Sequence, residues 1–466
     1  MNGGGMRWFT LSILAIATMA GGAHARETAV SMVYTNALLD AQPHAIFTKG
    51  RWAPDQKSRF VKLHFYFDEP IIVQAVEIDG CGSGLRSPIS IFFNFDNYSG
   101  IINDKLDGSI RAFTQTQTGD VIRFYSDAEP VEVRSLTVNF EKNRDFEVCG
   151  ILLKDPAGVP HKITVPELAA GHVEADSVLP PREAYDPVLL FDSRFEHGWA
   201  SNKKAVGANL RFSFDSPQKV EKIRIWNGYQ RSEVHCQANS RAKRIRIAGD
   251  GGYSETILVK DQLGSQIIDL PRPFHGKELK FEIAESYRGN RYKDLVISEL
   301  RFFGDGRWFA LDVTGAMMAA IAKNRGLFAK AGLDNILNDS LIGDDRNNYD
   351  SYLTLRLRAD GSLYKADSTE AGDYFLLGNY EIIDANRKTG IELRVFGLYY
   401  QTDEYGDCNG CGRDCNKSQP SDGRNVQKIY QEFMTISSDG EDKFTVLTGG
   451  RKEWSLSNTT FLKREE

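Results

Sequence analysis

Apolar and polar residues alternate with a period of two along much of the chain, and two such stretches are versions of one another. Leu63-His64-Phe65-Tyr66-Phe67-Asp68-Glu69-Pro70-Ile71-Ile72-Val73-Gln74-Ala75-Val76-Glu77-Ile78 is the first. The second, 147 positions on, is Leu210-Arg211-Phe212-Ser213-Phe214-Asp215-Ser216-Pro217-Gln218-Lys219-Val220-Glu221-Lys222-Ile223-Arg224-Ile225. Seven positions are identical, and the period of two marks half-buried strands. The shared Asp-x-Pro predicts a turn, because proline fixes φ and removes a ladder donor. Each copy therefore reads as strand, turn, strand. A repeat this long does not suit a solenoid and does suit a duplicated β-sandwich. The apolar runs Phe146–Leu153 and Asp294–Phe302 close the two copies. They place the sandwiches over about 27–156 and 172–306, with 157–171 as a linker after Asp155-Pro156.

Past Phe309 the period changes. Gly315–Lys323 and Leu327–Leu337 read as short helices, with Gly326 and Gly332 as breaks. Alternating strands follow at 351–358, 362–366, 374–383, 390–401, 427–437 and 443–448, with turn residues between them. That order predicts an antiparallel meander or small barrel within a C-terminal α+β domain at 309–466.

The length of 466 residues fits about three domains. With 57 basic against 63 acidic residues the chain lacks the positive footprint that duplex binding needs, so no nucleic-acid partner is expected. Residues 1–25 read as a secretory signal: Arg7, a short apolar run from Trp8 to Ala20, then Ala23-His24-Ala25. That run is short for a bilayer crossing and nothing later replaces it, so the mature chain is expected to carry no transmembrane segment. The expected location is outside the cytoplasm, either secreted or in the periplasm or cell envelope.

Export favours paired cysteines. Cys81 and Cys149 are the only two in the first sandwich and are expected to bridge. Cys236 stands apart from the cluster Cys408, Cys411 and Cys415. That cluster either forms one bridge, with the third thiol free or bonded to Cys236, or holds a metal. No histidine lies beyond His275 to complete a four-ligand zinc site.

The second copy carries more. Ala175-Asp176-Ser177, Tyr185-Asp186-Pro187, Leu190-Phe191-Asp192-Ser193 and Gly198-Trp199 resemble the opening of discoidin-like (coagulation factor 5/8 type C) domains. Ile223–Ser232, Asn239–Ile247, Tyr287–Asp294 and Ile297–Leu300 are similar to one branch of these. It is the glycan-binding domain found in streptococcal NAD glycohydrolases and other bacterial secreted proteins. The resemblance implies tandem galactose-binding-like jelly rolls in a mainly β protein, with recognition by loops at one end of the sandwich. The loop residues suited to stack on or hydrogen-bond sugars are Trp199, Asn202, Lys203, Asn227, Tyr229, Gln230 and Arg231. Trp199 also suits a core position, and Asn227-Gly228 is in itself a turn signal. The resemblance further implies a structural calcium near Asp192, main-chain oxygens around Arg194, and Glu299. Asp192-Ser193-Arg194 departs from the usual Asp-Gly-Asp by one carboxylate. The first copy has Asp79–Gly84 in place of the Asn-Gly-Tyr run and Gly150 in place of Glu299, so it is expected to be a weaker binder or a spacer.

No nucleophile elbow, zincin helix, Walker loop or Rossmann fingerprint occurs. The expected function is that of an exported glycan-binding protein without an evident catalytic site. The alternatives are an unfamiliar enzyme domain at 309–466 delivered to its substrate by the sandwiches, and a scaffold for protein partners.

Overall fold

A computed structural model describes residues 26–463 apart from 40, 56–59, 84, 86–88, 95–108, 112–113, 126–130, 142–144, 203–204, 338–339, 345–351, 370–371, 403–425, 441–442 and 450–458. The signal segment, Lys203, Cys408, Cys411 and Cys415 lie outside the described residues. The protein is mainly β, in three units.

The first unit contains β1 (Arg26–Thr35), β2 (Phe60–Val73), β3 (Ala75–Asp79), β4 (Ile89–Asn94), β5 (Ser109–Arg111), β6 (Thr114–Thr118), β7 (Val121–Tyr125), β8 (Val131–Glu141), β9 (Gly150–Lys154) and β10 (Pro160–Thr164). They follow one another in the order β5-β4-β8-β2-β1-β10-β9-β3-β7-β6, a sheet folded over on itself. β1 makes the fold: Arg26–Ala29 pair parallel to β10, and after an irregularity at Val30/Met32 the rest pairs antiparallel to β2. Alternation then aims Leu63, Phe65, Phe67, Val76, Ile78, Leu136, Val138 and Phe140 into one apolar core. Cys81 and Cys149 are bridged, with Cα atoms 5.3 Å apart.

The second unit contains β11 (Glu167–Ala169), β12 (Gly171–Ala175), β13 (Trp199–Ala200), β14 (Asn209–Asn227), β15 (Arg241–Gly249), β16 (Tyr253–Leu258), β17 (Ser265–Tyr287), β18 (Val296–Gly304) and β19 (Arg307–Leu311). Its pairing repeats that of the first. β14 takes the place of β2 and β3 joined end to end, and β17 that of β7 and β8. β11 runs parallel to β19 as the start of β1 runs parallel to β10. The expected linker is therefore largely strand: Pro160–Thr164 completes the first sheet and Glu167–Ala169 opens the second.

The Asp-x-Pro in each copy does not separate two strands. β14 runs through Asp215-Ser216-Pro217 with a register break between Ser213 and Gln218, and β2 does the same between Tyr66 and Ile71. Proline cannot donate to the ladder but tolerates extended backbone, so the chain answers it with a bulge.

The third unit begins with one helix, Thr314–Ala331, which continues through Gly326 and stops at Gly332, whose φ is +74°. An interior glycine weakens a helix by only about 1 kcal/mol. Burial of Ile321, Phe328 and Ala331 against the strands that follow outweighs it. Those strands are β20 (Ser340–Asp344), β21 (Tyr352–Leu357), β22 (Ser362–Thr369), β23 (Gly372–Asn386), β24 (Gly390–Thr402), β25 (Val426–Gly440), β26 (Lys443–Gly449) and β27 (Thr459–Lys463). They pair in sequence order, and β27 returns to β20 to close an eight-stranded barrel. Leu355, Leu357, Leu363, Leu393, Val395, Met434 and Ile436 fill its interior beside Phe328. No helix among the described residues is long and apolar enough to cross a membrane.

Candidate ligand-recognition end of the central sandwich

The loops at one end of the central sandwich bring most of the expected residues together, in two different roles. Asn227 and Gln230 are internal struts. The Asn227 amide donates to the Ala242 carbonyl at 2.8 Å and accepts from its N–H at 2.9 Å, as a backbone group would. Gln230 accepts from Gly264 N at 2.8 Å and donates to the Asn227 carbonyl. Between them Gly228 has a φ of +85°, and a Cβ there would stand 2.7 Å from Arg241 Cγ, so this turn admits only glycine. Trp199 is fully buried on β13, with Nε1–H donating to the Ser177 carbonyl at 3.0 Å, so it fills the core rather than offering a platform. Asn202 is exposed beside it.

Tyr229 and Arg231 have the chemistry expected of a recognition loop, but they are not open to solvent. Tyr229 is 5% and Arg231 4% exposed. The Arg231 guanidinium lies 4.7 Å from the Tyr229 ring centroid, and Tyr185 and His235 meet that ring edge-on. Arg231 Nε donates to the Glu196 carbonyl at 3.1 Å, and Nη2 donates to Oδ1 of Asn379 on β23 of the barrel. Asn379 Nδ2 lies 2.8 Å from His197 Nε2, and His197 Nδ1 lies 2.6 Å from Asp192 Oδ2. The tautomer follows: Nδ1–H donates to Asp192 and Nε2 accepts from the amide. Burial, reinforced by Arg194, lowers the His197 pKa to about 3, so the ring is neutral.

Asp192 and Glu299 come together at one backbone donor. The Arg194 N–H donates to Asp192 Oδ1 at 2.9 Å and to Glu299 Oε1 at 2.7 Å. Burial pushes Asp192 up to about 7 and Glu299 well above its ordinary value, although Arg194 and Arg301 pull the other way. Two carboxyls this close resist ionising together. The pair does not fit calcium as it stands. Glu299 Oε2 is taken by Arg301, whose Nη2 donates to Ser193 Oγ at 3.0 Å and whose Nε donates to the Ser31 carbonyl at 3.2 Å. A guanidinium thus holds the carboxylate that a cation would need. A hard cation wants six or more oxygens, whereas each carboxylate oxygen here already faces a donor.

Several residues of this end were not singled out from the sequence. The Arg194 side chain, Glu196 and His197 lie in a charged run between Ser193 and Gly198, a composition usual for solvated loops. Instead Arg194 Nε lies 2.8 Å from Glu196 and Nη1 2.8 Å from Asp360 of the barrel. The ring of Tyr34, from the first sandwich, lies 5.2 Å from the same guanidinium. Burial alone would raise Glu196 and Asp360, but Arg194 holds both below their ordinary values. Met32, Phe195 and Trp226 form a small apolar cluster between the two sandwiches, and Arg224 pairs with Asp68 across the same boundary. Cys236 is buried with a free thiol.

The sheet order, the repeated pairing and this loop end define the central unit as a discoidin-like β-sandwich. Residues 168–303 match the family described as the NAD glycohydrolase translocation F5/8 type C domain. Among solved structures, the paired CBM32 domains of Clostridium perfringens ZmpB, in complex with GalNAc, align at 9% identity and a TM-score of 0.23, covering 60% of this chain and 90% of that one. The family 32 carbohydrate-binding module of C. perfringens NanJ, in complex with galactose, aligns at 13% and 0.22, covering 28% and 92%. A fucolectin from striped bass (Morone saxatilis) serum aligns at 15% and 0.23, covering 60% and 96%. No curated protein matches the chain.

Proposed function

We propose that the protein is an exported, envelope-associated or secreted glycan-binding protein, with its F5/8 type C sandwich as the recognition module. The observation that carries this reading is the family match over 168–303, whose loop end gathers Tyr229, Arg231, His197 and Tyr185. An aromatic pair beside a guanidinium and a neutral imidazole suits a neutral, hydroxyl-rich ligand: the rings meet C–H faces, and the planar polar groups donate and accept. The first sandwich, its duplicate, then acts as a second, weaker module. Calcium has no part in this reading, because Arg301 already neutralises Glu299.

The central sandwich has its own apolar core, drawn from residues 168–313 with Met317 at its margin, so residues 165–313 form a unit that can be tested alone. On a glycan array, with and without calcium, it should bind one sugar class without a calcium requirement. Arg231→Ala should lower that binding at least tenfold and shift the melt by only a few degrees. A folded domain that binds no array sugar sinks the reading and moves weight to protein–protein contact.

A further inference from the structure

We propose that the C-terminal barrel is the resident occupant of the central sandwich's loop end, and that a glycan reaches Tyr229 and Arg231 only when the barrel moves away. The proposal rests on the glycan reading above and assigns that site its regulation. Its basis is what the barrel presents. Asn379 offers Arg231 a carbonyl acceptor and offers His197 Nε2 an N–H donor, the pair of roles that one sugar hydroxyl would play. Phe396, opposite Asn379 on the neighbouring strand, stacks on Tyr185 with centroids 6.2 Å apart and planes 22° apart. A ring face is thus already covered. Asp360 completes the contact on Arg194 at 2.8 Å.

The way this contact is made suits release. Among the described residues, the apolar cores of the central sandwich and the barrel are separate and share only Met317 at their margins. The boundary between them is a set of hydrogen bonds, one aromatic pair and ion pairs such as the exposed Lys323–Glu183 at 2.6 Å. Domain boundaries of this polar kind allow relative motion. The barrel is joined to the sandwich through Asp312–Thr314 and its own helix, so it meets the loop end at the high effective concentration of a short tether. The first sandwich adds Leu38 to the barrel's core and Asp55 as partner to Arg325, so release frees these as well.

The test compares the full chain, the full chain with Asn379→Ala and Phe396→Ala together, and residues 165–313. Each is measured on the array sugar bound by the isolated domain, and each is followed by hydrogen exchange at 192–199 and 227–236. The expected result is at least tenfold weaker binding by the full chain, binding restored to the domain's level in the double variant, and at least tenfold faster exchange at both segments there. If the full chain binds as tightly as the domain, with Arg231→Ala abolishing both, the barrel is no occupant and the glycan reading stands. If the domain binds but the double variant stays silent, these contacts do not govern access and the proposal fails. If the folded domain is silent on every sugar, the glycan reading fails and takes this proposal with it.

Discussion

Asp360, in the turn before β22, lies 2.8 Å from the Arg194 guanidinium, whose Nε is the same distance from Glu196. One buried cation therefore holds one carboxylate from its own loop and one from a domain that begins more than a hundred residues later. All three side chains are largely buried, at 9%, 8% and 12% exposure, so solvent does little to screen the arrangement. Replacing Arg194 by Met leaves two carboxylates buried without their counter-charge. Removal of one partner from such a pair costs about 3–5 kcal/mol. The urea midpoint of Arg194→Met should fall accordingly. Asp360→Asn, which keeps an acceptor for the Ser362 N–H, should cost less. An unchanged midpoint in Arg194→Met would mean that this node does not hold the domains together.

The carboxyl pair below it predicts a pH dependence of definite sign. Asp192 is raised to about 7 and Glu299 well above its ordinary value, both by burial, so the folded chain keeps a proton that the unfolded chain releases above about pH 4. That contribution to stability is full below pH 4 and is lost as pH rises toward 7. Glu196 and Asp360 act oppositely: they are held low, and their contribution is lost only as pH falls below about 4. His197 is neutral across the window, and Arg194 stays charged. Tyr34 does not ionise there, being raised by burial. Between pH 5 and 7.5 the unfolding free energy should therefore decline, by up to about 1.4 kcal/mol per pH unit for one proton. Asp192→Asn should flatten that slope relative to the parent. Equal slopes in the two proteins would show that the pair carries no proton.

Much of the architecture was legible because it is written in local alternation. Leu63 and Leu210 open equivalent strands, and the barrel strands after Ser351 fall within a few residues of their expected limits. The Cys81–Cys149 bridge followed from two cysteines alone in one domain. Where an element is decided by packing, local signals misled. Pro217 bends a strand without ending it, and Gly326 sits in an unbroken helix because Phe328 and Ala331 are buried beyond it. The site divides along the same line. Tyr229 and Arg231 are the residue types of a recognition loop, and the structure brings them together. What meets Arg231 and Arg194, Asn379 and Asp360, lies on a separately folded barrel and carries no mark in an ordinary alternating strand and turn. Arg194, Glu196 and His197 carry no local mark of burial, since burial of charge depends on that distant partner.

Trp199 distinguishes core from ligand platform. It is fully buried beside Leu190, Phe191 and Ile297, and its indole N–H is spent on Ser177. Trp199→Ala should cost about 3–5 kcal/mol, as large aromatic truncations in cores do. Trp199→Phe should cost about 1–2 kcal/mol, since it loses the hydrogen bond and part of the volume. Both effects should appear in the thermal melt of residues 165–313, and glycan affinity of the folded Phe variant should not change. A Phe variant with an intact melt and weakened binding would place the indole at the ligand.

The disulfide makes a prediction confined to the first sandwich. Cys81 and Cys149 are 68 residues apart, and the chain between them includes β4 to β8. The bridge sits where β3 and β9 meet: Cys149 N–H donates to the Asp79 carbonyl at 2.8 Å, and Asp79 pairs with Gly150. Reduction leaves this ladder in place but frees a long segment in the unfolded chain. Loss of a native bridge of this kind costs about 2–5 kcal/mol. The double variant Cys81→Ser with Cys149→Ser should lose that much in urea unfolding. Hydrogen exchange should rise along β2, β3 and β8, while β14 and β18, in a core of their own, keep their protection. Reductant should reproduce the effect in the parent and leave the variant unmoved. Equal destabilisation of both sandwiches would instead mean that they unfold as one unit, through Met32, Phe195 and Trp226.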